Sequence, residues 1–492
     1  MAVKIQLRRD TSLQWSTSNP VLAEGEFGIE LDTYKSKMGD GSTTWNELAY
    51  YYQPLKENLI GSPGSTGFGV GICPAADLPL GMTPLYNYDI LGSPNYGNYQ
   101  FADGSIMCWV PKFYYRIASA SNPTYATYGV NSVDIAGVNI YANTTLANAA
   151  GYALHRAFID GGVEKSGFFV DKYKCSKNAW GTGYVASSIK NGLPLSSAAA
   201  HNPFADCTGG ANYYYSAIDL AHRRDGVDGA VNASSIFFCC SQFIRAALAL
   251  LSLSHGQSAT SVNNCAWYHA TYNFPKGCND NALADTNDTS VVWITDGYSN
   301  CGKTGSAGSA GGAGNVFAKS AHNGQDCGVV DLNGLMYEIS IGITCDGTDF
   351  YTAKQATAMK NFTNGNASAT DHWGATGIAA MMDVFTHPVI TGNDGWTYYG
   401  NAANQVLAED TSGAAWLNTS TGIPRDVNGI SAGGTNLFGT DGMYRYIFNE
   451  LCLIACSHWY SGSFAGVWCA FWGNARGDSD YYLGFRAACY PV

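Results

Sequence analysis

The last stretch of the chain, residues 449–492, places the tightest constraint on what this sequence can fold into. Two kinds of position alternate there. Gly462, Gly466, Val467, Trp468, Ala475, Arg476, Gly484, Phe485 and Arg486 have the character of a scaffold: glycines allow tight backbone, apolar side chains fill a core, and arginines tie loops. Between them stand Tyr460, Ser461, Phe464, Phe471, Gly473, Asn474, Asp478, Asp480, Tyr481 and Tyr482, which follow neither a helical nor a strand period. A soluble chain seldom ends in so many large aperiodic side chains unless some of them face a partner.

At 492 residues the chain has room for about three average domains, or for one elaborated domain and a small one. Charged residues make up only 13%, about half the usual share, and the net charge is −12. That balance argues against a nucleic-acid backbone or an anionic membrane surface as partner. The most apolar run, 236–253, carries Gln242 and Arg245 and is expected to be a buried helix ended by His255-Gly256, with no membrane insertion. Residues 1–9 lack the apolar core of a secretion signal, so synthesis and folding in a cytoplasm are expected. The 15 cysteines are odd in number and irregularly spaced, which points to reduced, buried thiols. Cys452 and Cys456 are expected on one helix face near His458, but two thiols and one imidazole fall short of a zinc site. No metal and no cofactor are expected.

Residues 1–54 have the pattern of a compact unit of short strands, with turns at Asn19-Pro20 and at Gly39-Asp40-Gly41. Residues 55–70, with Gly61-Ser62-Pro63-Gly64-Ser65-Thr66-Gly67, have the composition of a flexible or semi-extended linker. From residue 71 to 492 the chain has an α+β pattern. A strand is expected over 105–117, bulged or at a sheet edge because of Pro111, and a second over 167–174. Residues 302–314 are Gly/Ala/Ser-rich without a phosphate-loop lysine and are expected to form a mobile surface loop.

The C-terminal pattern resembles the variable region of proteins diversified by retroelements, the family of the major tropism determinant type. The resemblance implies a C-type-lectin fold of the version shared with formylglycine-generating enzymes. In that family variable positions descend mostly from asparagine codons mutated at template adenines. All ten aperiodic residues named above satisfy this, a test that most residue types pass; tryptophan does not, so Trp459, Trp468 and Trp472 are implied to be fixed. Two further stretches carry the likeness. Within 1–54, the arginine run, Leu22-Ala23-Glu24-Gly25-Glu26, Gly39-Asp40-Gly41 and Trp45-Asn46-Glu47-Leu48 resemble the small N-terminal unit of phage tail fibres, a trimeric β-prism. In 328–339, Asp331, Asn333 and Gly334 resemble a lectin-fold turn, with Glu338 implied to bond core backbone.

The resemblance thus implies an all-β, β-prism-like N-terminal domain at 1–54 for trimerisation and attachment. A lectin-like domain would follow at 71–492, with insertions at 120–150 and 350–430 and a variable face within 457–482. The implied function is that of a phage tail-fibre receptor-binding protein, at the fibre tip of a virion made in a host cytoplasm. Its partners would be a bacterial surface protein or glycan, other tail proteins, and two further copies of the chain.

Two alternatives come from other classes: an oxidase of the formylglycine-generating type, and a purely structural tail protein. The oxidase places a reactive cysteine pair near positions that here hold Trp459 and Phe464, so a thiolate nucleophile or copper ligand is missing and no enzyme is expected. The Glu-Pro-Asn and Trp-Asn-Asp signatures of calcium-dependent lectins are absent, and Asn393-Asp394-Gly395-Trp396 is expected to be a turn. Asp478 and Asp480 fit a solvated loop pair better than the paired carboxylates of a depolymerase.

Overall fold

The computed structural model describes residues 7–52, 57–268, 278, 281–286, 288–309, 315–363, 380–385, 395–399, 407, 420–425, 438, 441–447 and 449–491. The chain divides into two units, Met1–Glu57 and Asn58–Val492.

In the first unit the strands Arg8–Asp10, Phe27–Glu30, Ser36–Met38 and Tyr50–Tyr52 form a sheet in that order, the first pair parallel and the others antiparallel. The all-β expectation is corrected here. A helix, Ser12–Ser18, follows the first strand, its N-terminus capped by the Thr11 hydroxyl, which accepts from the Gln14 amide at 3.3 Å. The helix carries Trp15 onto Trp45, with ring centroids 4.1 Å apart. Together with Leu22 these two rings are the buried apolar core of the unit.

The second unit is mostly sheet with few helices. One six-stranded antiparallel sheet runs Phe237–Cys239, Ala487–Cys489, Gly167–Asp171, Ile106–Pro111, Asn98–Phe101, Met82–Pro84. Its central strand Gly167–Asp171 is buried along its length, as a continuous Phe168-Phe169-Val170 run requires. A second runs Gly395–Tyr398, Gly442–Arg445, Ala470–Ala475, Leu451–Ala455, Tyr337–Ser340, Leu483–Gly484. The C-terminal segment enters both sheets, so its scaffold residues are held at the centre of the unit.

Several expectations differ from this. The apolar run at 236 begins as the strand Phe237–Cys239; the helix is Gln242–Ser258, started by the Ser241 cap on the Ile244 amide (3.3 Å), and His255-Gly256 lie inside it. The 105–117 strand is two strands, Ile106–Pro111 and Phe113–Ile117, which pair in different sheets; the first is central, and the chain changes sheet at Lys112. Cys452 lies on the strand Leu451–Ala455 and Cys456 just beyond it, so they share no helix face.

The expected linker is packed from residue 58: Ile60, Phe68 and Val70 are buried, and the Gly64 and Gly67 amides donate to His255 (3.0 Å) and Gln325 (2.6 Å). Its glycines serve tight turns, with φ of +77° at Gly61, +81° at Gly64 and +75° at Gly67. In the expected surface loop, Thr304, Ser306 and Ala307 are buried, and Thr304 donates to Asp331; residues 310–314 lie outside the described residues. Gly395–Tyr398 is a strand and no turn; Asn393 and Asp394 lie outside the described residues. The 120–150 segment contributes the strand Val133–Gly137, paired with Phe113–Ile117, while most of 350–430 lies outside the described residues.

Candidate binding face

Strand Leu451–Ala455 and strand Ala470–Ala475 are neighbours in the second sheet; the loop between them carries Tyr460, Ser461 and Phe464, and the second strand carries Phe471, Gly473 and Asn474. The loop leaves its strand through two successive residues with left-handed backbone, Cys456 (φ 72°) and Ser457 (φ 60°), a strained start for residues bearing a Cβ. Gly466 passes so close to Asp441 that an added Cβ would lie within 2.0 Å of its carboxylate, which accepts from the Trp468 amide at 2.9 Å. The turn thereby fixes Trp468, which is buried against Tyr399 and Phe438. Trp459, Trp472, Phe485 and Arg486 are buried as well.

None of the ten aperiodic residues is buried. Tyr460 (68%), Tyr481 (49%) and Phe464 (41%) are exposed; Ser461, Phe471, Gly473, Asn474, Asp478, Asp480 and Tyr482 are half-buried. The aromatic members join one chain of ring contacts. Phe464 stacks on Trp396 (5.8 Å), Trp396 meets Tyr444 (5.4 Å), Tyr444 stacks on Phe471 (4.5 Å), and Phe471 reaches Tyr337 (6.3 Å). From Tyr337 the chain continues to His458 (4.9 Å), which stacks on Tyr482 (4.5 Å) and Tyr460 (6.1 Å). Tyr481 packs on Tyr482 (5.3 Å) and on Trp459 (5.6 Å).

The polar members form a second group. Asn474 donates to the Asp478 carboxylate at 3.0 Å, the Ala475 amide donates to the same oxygen at 2.8 Å, and the Asp480 amide donates to the Ser197 hydroxyl at 2.8 Å. Burial and a hydrogen bond to Asp480 push the Tyr482 phenol up, so Tyr482 joins the two groups. Three positions are less free than the sequence suggests. The Ser461 hydroxyl accepts from the His458 amide (3.2 Å), Asp478 closes a turn, and a Cβ at Gly473 would meet the Phe471 ring at 2.7 Å.

Residues distant in sequence complete the face. Trp396 and Tyr398 come from the edge strand Gly395–Tyr398, Tyr444 from its neighbour, and His201, itself against Tyr298, packs on Trp459 and Tyr481. The alternation of Trp396 and Tyr398 is a strand signal; their arrival beside Phe464 is set by sheet order, which no local pattern carries.

Burial holds His458 down at about 4, so it is a neutral stacking ring near neutral pH. Glu338, expected to bond backbone, instead takes a buried ionic role: it accepts from Lys174 and from Arg486 (2.8 Å) and pairs with Arg245. All 15 cysteines are buried, and burial pushes the Cys469 thiol well up. Among the described residues no group of three or more His, Cys, Asp or Glu side chains could hold a metal ion, and no helix is long and apolar enough to cross a membrane.

Comparison with known proteins bears on the first unit. Residues 5–43 match the family model described as the major tropism determinant N-terminal domain. The likeness is to that N-terminal domain and is confined to those residues. A hyaluronoglucosaminidase of Streptococcus pyogenes phage H4489A is 38% identical over 52 residues, 11% of this chain and 14% of that protein. The chain therefore spans only a small part of that relative. Two solved structures, the U1 and P3c variants of the major tropism determinant, align over 99% of this chain and 100% of theirs, at 10% and 11% identity and a TM-score of 0.25 each. Superposition that loose does not assign the larger unit to their fold.

Proposed function

We propose that this chain is a receptor-binding protein of a phage tail fibre, a tropism determinant. The first unit would serve trimerisation and attachment, and the second, a C-type-lectin-like domain, would present the aromatic face to a bacterial surface protein or glycan. The observation that carries this reading is the placement of the ten aperiodic residues: none is in the core, and the six largest scaffold side chains beneath them, Trp459, Trp468, Trp472, Arg476, Phe485 and Arg486, all are. A site can vary without loss of the fold only where the fold does not depend on it. Tyrosine and phenylalanine suit such a site, since they bring large contact area at low rotamer cost.

The reading makes the protein a binder and no enzyme. An oxidase of the formylglycine-generating type needs an accessible thiolate, and every cysteine is buried. The hyaluronidase likeness extends over too little of either chain to suggest that activity here.

Adsorption of phage, or of the purified chain, to host cells tests the proposal. Tyr460→Ala and Tyr481→Ala are each expected to weaken adsorption by about tenfold or more, as truncation of interface tyrosines does, with Tm nearly unchanged. Variants that adsorb normally yet melt early would place these residues in the core's service and overturn the assignment.

A further inference from the structure

We propose that one end of the aromatic face, around Asp480, Tyr481 and Tyr298, takes a basic side chain, arginine or lysine, from a loop of a bacterial surface protein. This rests on the receptor-binding reading and supplies the chemistry of the partner.

The cations of residues 441–491 are Arg445, Arg476 and Arg486, and all three are buried. Each is also engaged. Arg445 donates to the Thr397 hydroxyl at 2.8 Å, Arg476 lies 5.1 Å from the centre of the Tyr215 ring, and Arg486 donates to Glu338 at 2.8 Å. His458, held down at about 4, is neutral near pH 7. Glu450, Asp478 and Asp480, in contrast, are only half-buried. The charge that solvent reaches on this segment is therefore negative. Asp480 accepts from the Tyr481 amide at 2.7 Å and is hydrogen-bonded to the Tyr482 phenol. A carboxylate accepts about four hydrogen bonds, so capacity is left for a partner's donor.

The same end holds the three most exposed rings of the face, Tyr460, Tyr481 and Tyr298, the last 61% exposed. Tyr481 packs on Tyr482, and Tyr460 and Tyr482 stack on the same His458 ring. Tyr298 and Tyr481 both meet the His201 ring, at 5.1 and 6.5 Å. Tyr298 stands on a fixed turn. The Asp296 carboxylate accepts from the Tyr298 and Ser299 amides (2.9 and 3.2 Å) and pairs with His201, while Gly297 takes left-handed backbone (φ +86°). A cation over a tyrosine face is attracted by the ring quadrupole, and a guanidinium can stack there while donating to a neighbouring carboxylate.

The other end of the face is different. Phe464, Trp396 and Phe471 bring ring carbon and one indole N–H, and no charge. A glycan laid over both ends would turn hydroxyls onto ring carbon there, and an anionic one would also meet Asp478 and Asp480. A protein loop with a basic residue beside apolar ones matches both ends.

The test uses the purified full chain and host cells in four forms: untreated, lysines acetylated and arginines blocked with phenylglyoxal, surface proteins digested, and glycans oxidised with periodate. Binding should fall by about tenfold or more on blocked and on digested cells, and should be unchanged after periodate. Wild-type binding should weaken between roughly 50 and 500 mM salt. Asp480→Asn should flatten that salt dependence. Tyr298→Leu, which keeps apolar area and removes the quadrupole, should weaken binding by about threefold with Tm nearly unchanged. Where untreated cells bind, binding that survives blocking or digestion, is lost after periodate, or ignores salt would overturn this proposal and leave the receptor-binding reading standing. Failure to bind untreated host cells would remove both.

Discussion

Glu338 shows how much of this fold rests on single buried side chains. Its carboxylate faces Lys174, Arg245 and Arg486, all buried, and Arg486 also donates to the Lys172 carbonyl at 2.6 Å and the Asp171 carbonyl at 3.2 Å. Burial, with the neighbouring Arg486, holds Lys174 well below its ordinary range, and the Glu338 carboxylate is the anion that all three cationic side chains face. Glu338→Gln keeps the shape and removes the charge. It is expected to cost about 3–5 kcal/mol, read as a lower urea midpoint with unchanged slope; an unchanged midpoint would show that the cations are compensated elsewhere. At the face, Tyr481 and Tyr482 separate two contributions that the sequence presents as equal. Tyr481 is exposed, whereas Tyr482 is half-buried between His458, Tyr337 and Asp480. Tyr482→Ala should therefore lower Tm as well as adsorption, and Trp468→Ala should cost about 3–5 kcal/mol, the usual loss for a buried aromatic. Equal melting of the Tyr481 and Tyr482 variants would refute the distinction.

At the scale of elements, what the sequence made legible was periodicity and chemistry, and what it hid was pairing. The aperiodic set at 460–482 stood out because large side chains there obey no element's period, and the structure places all of them outside the core. The apolar run at 236–253 misled, because a buried strand and a buried helix share the same composition. Only Ser241, with its hydroxyl on the Ile244 amide, marks where one ends and the other begins. The Gly/Ser/Pro stretch at 61–67 had linker composition, yet its glycines close turns over a buried Phe68. The edge strand Gly395–Tyr398 was invisible as part of the face, since sheet order alone brings Trp396 to Phe464. If that strand is a fixed shelf for the variable loop, Trp396→Ala should weaken adsorption in the same direction as Tyr481→Ala. Because Trp396 is exposed at a sheet edge, the melting temperature should fall by no more than a few degrees. Normal adsorption by that variant would confine the face to the C-terminal segment.

For the whole molecule, acid should loosen the second unit. His155, His255 and His322 are buried and His458 is half-buried, and desolvation holds them down at about 3, 4, 3 and 4 respectively. An unfolded histidine takes up its proton near pH ~6.5, so below that pH the unfolded chain binds more protons than the folded one. Stability from these groups is therefore complete above ~7 and falls as pH drops, by at most about 1.4 kcal/mol per histidine per pH unit. The urea midpoint should be lower at pH 5.5 than at 7.5, and equal midpoints would contradict the burial of these rings. Assembly is argued from the first unit. Its core is two tryptophans and Leu22, while Leu13, Val21, Leu31, Tyr34 and Tyr51 are exposed. A unit of this size hides comparatively little apolar surface, and such exposed side chains are suited to burial against copies of the chain. Three chains joined this way would carry three aromatic faces, and weak contacts engaged together gain roughly 10²–10⁴ in avidity. Light scattering of the intact protein should give three times the chain mass. Leu13→Asp, on the exposed side of the helix Ser12–Ser18, should reduce that mass and cut adsorption far more than it weakens binding of one face to soluble receptor. A wild-type monomer at micromolar concentration would remove avidity from the account and leave each face to bind alone.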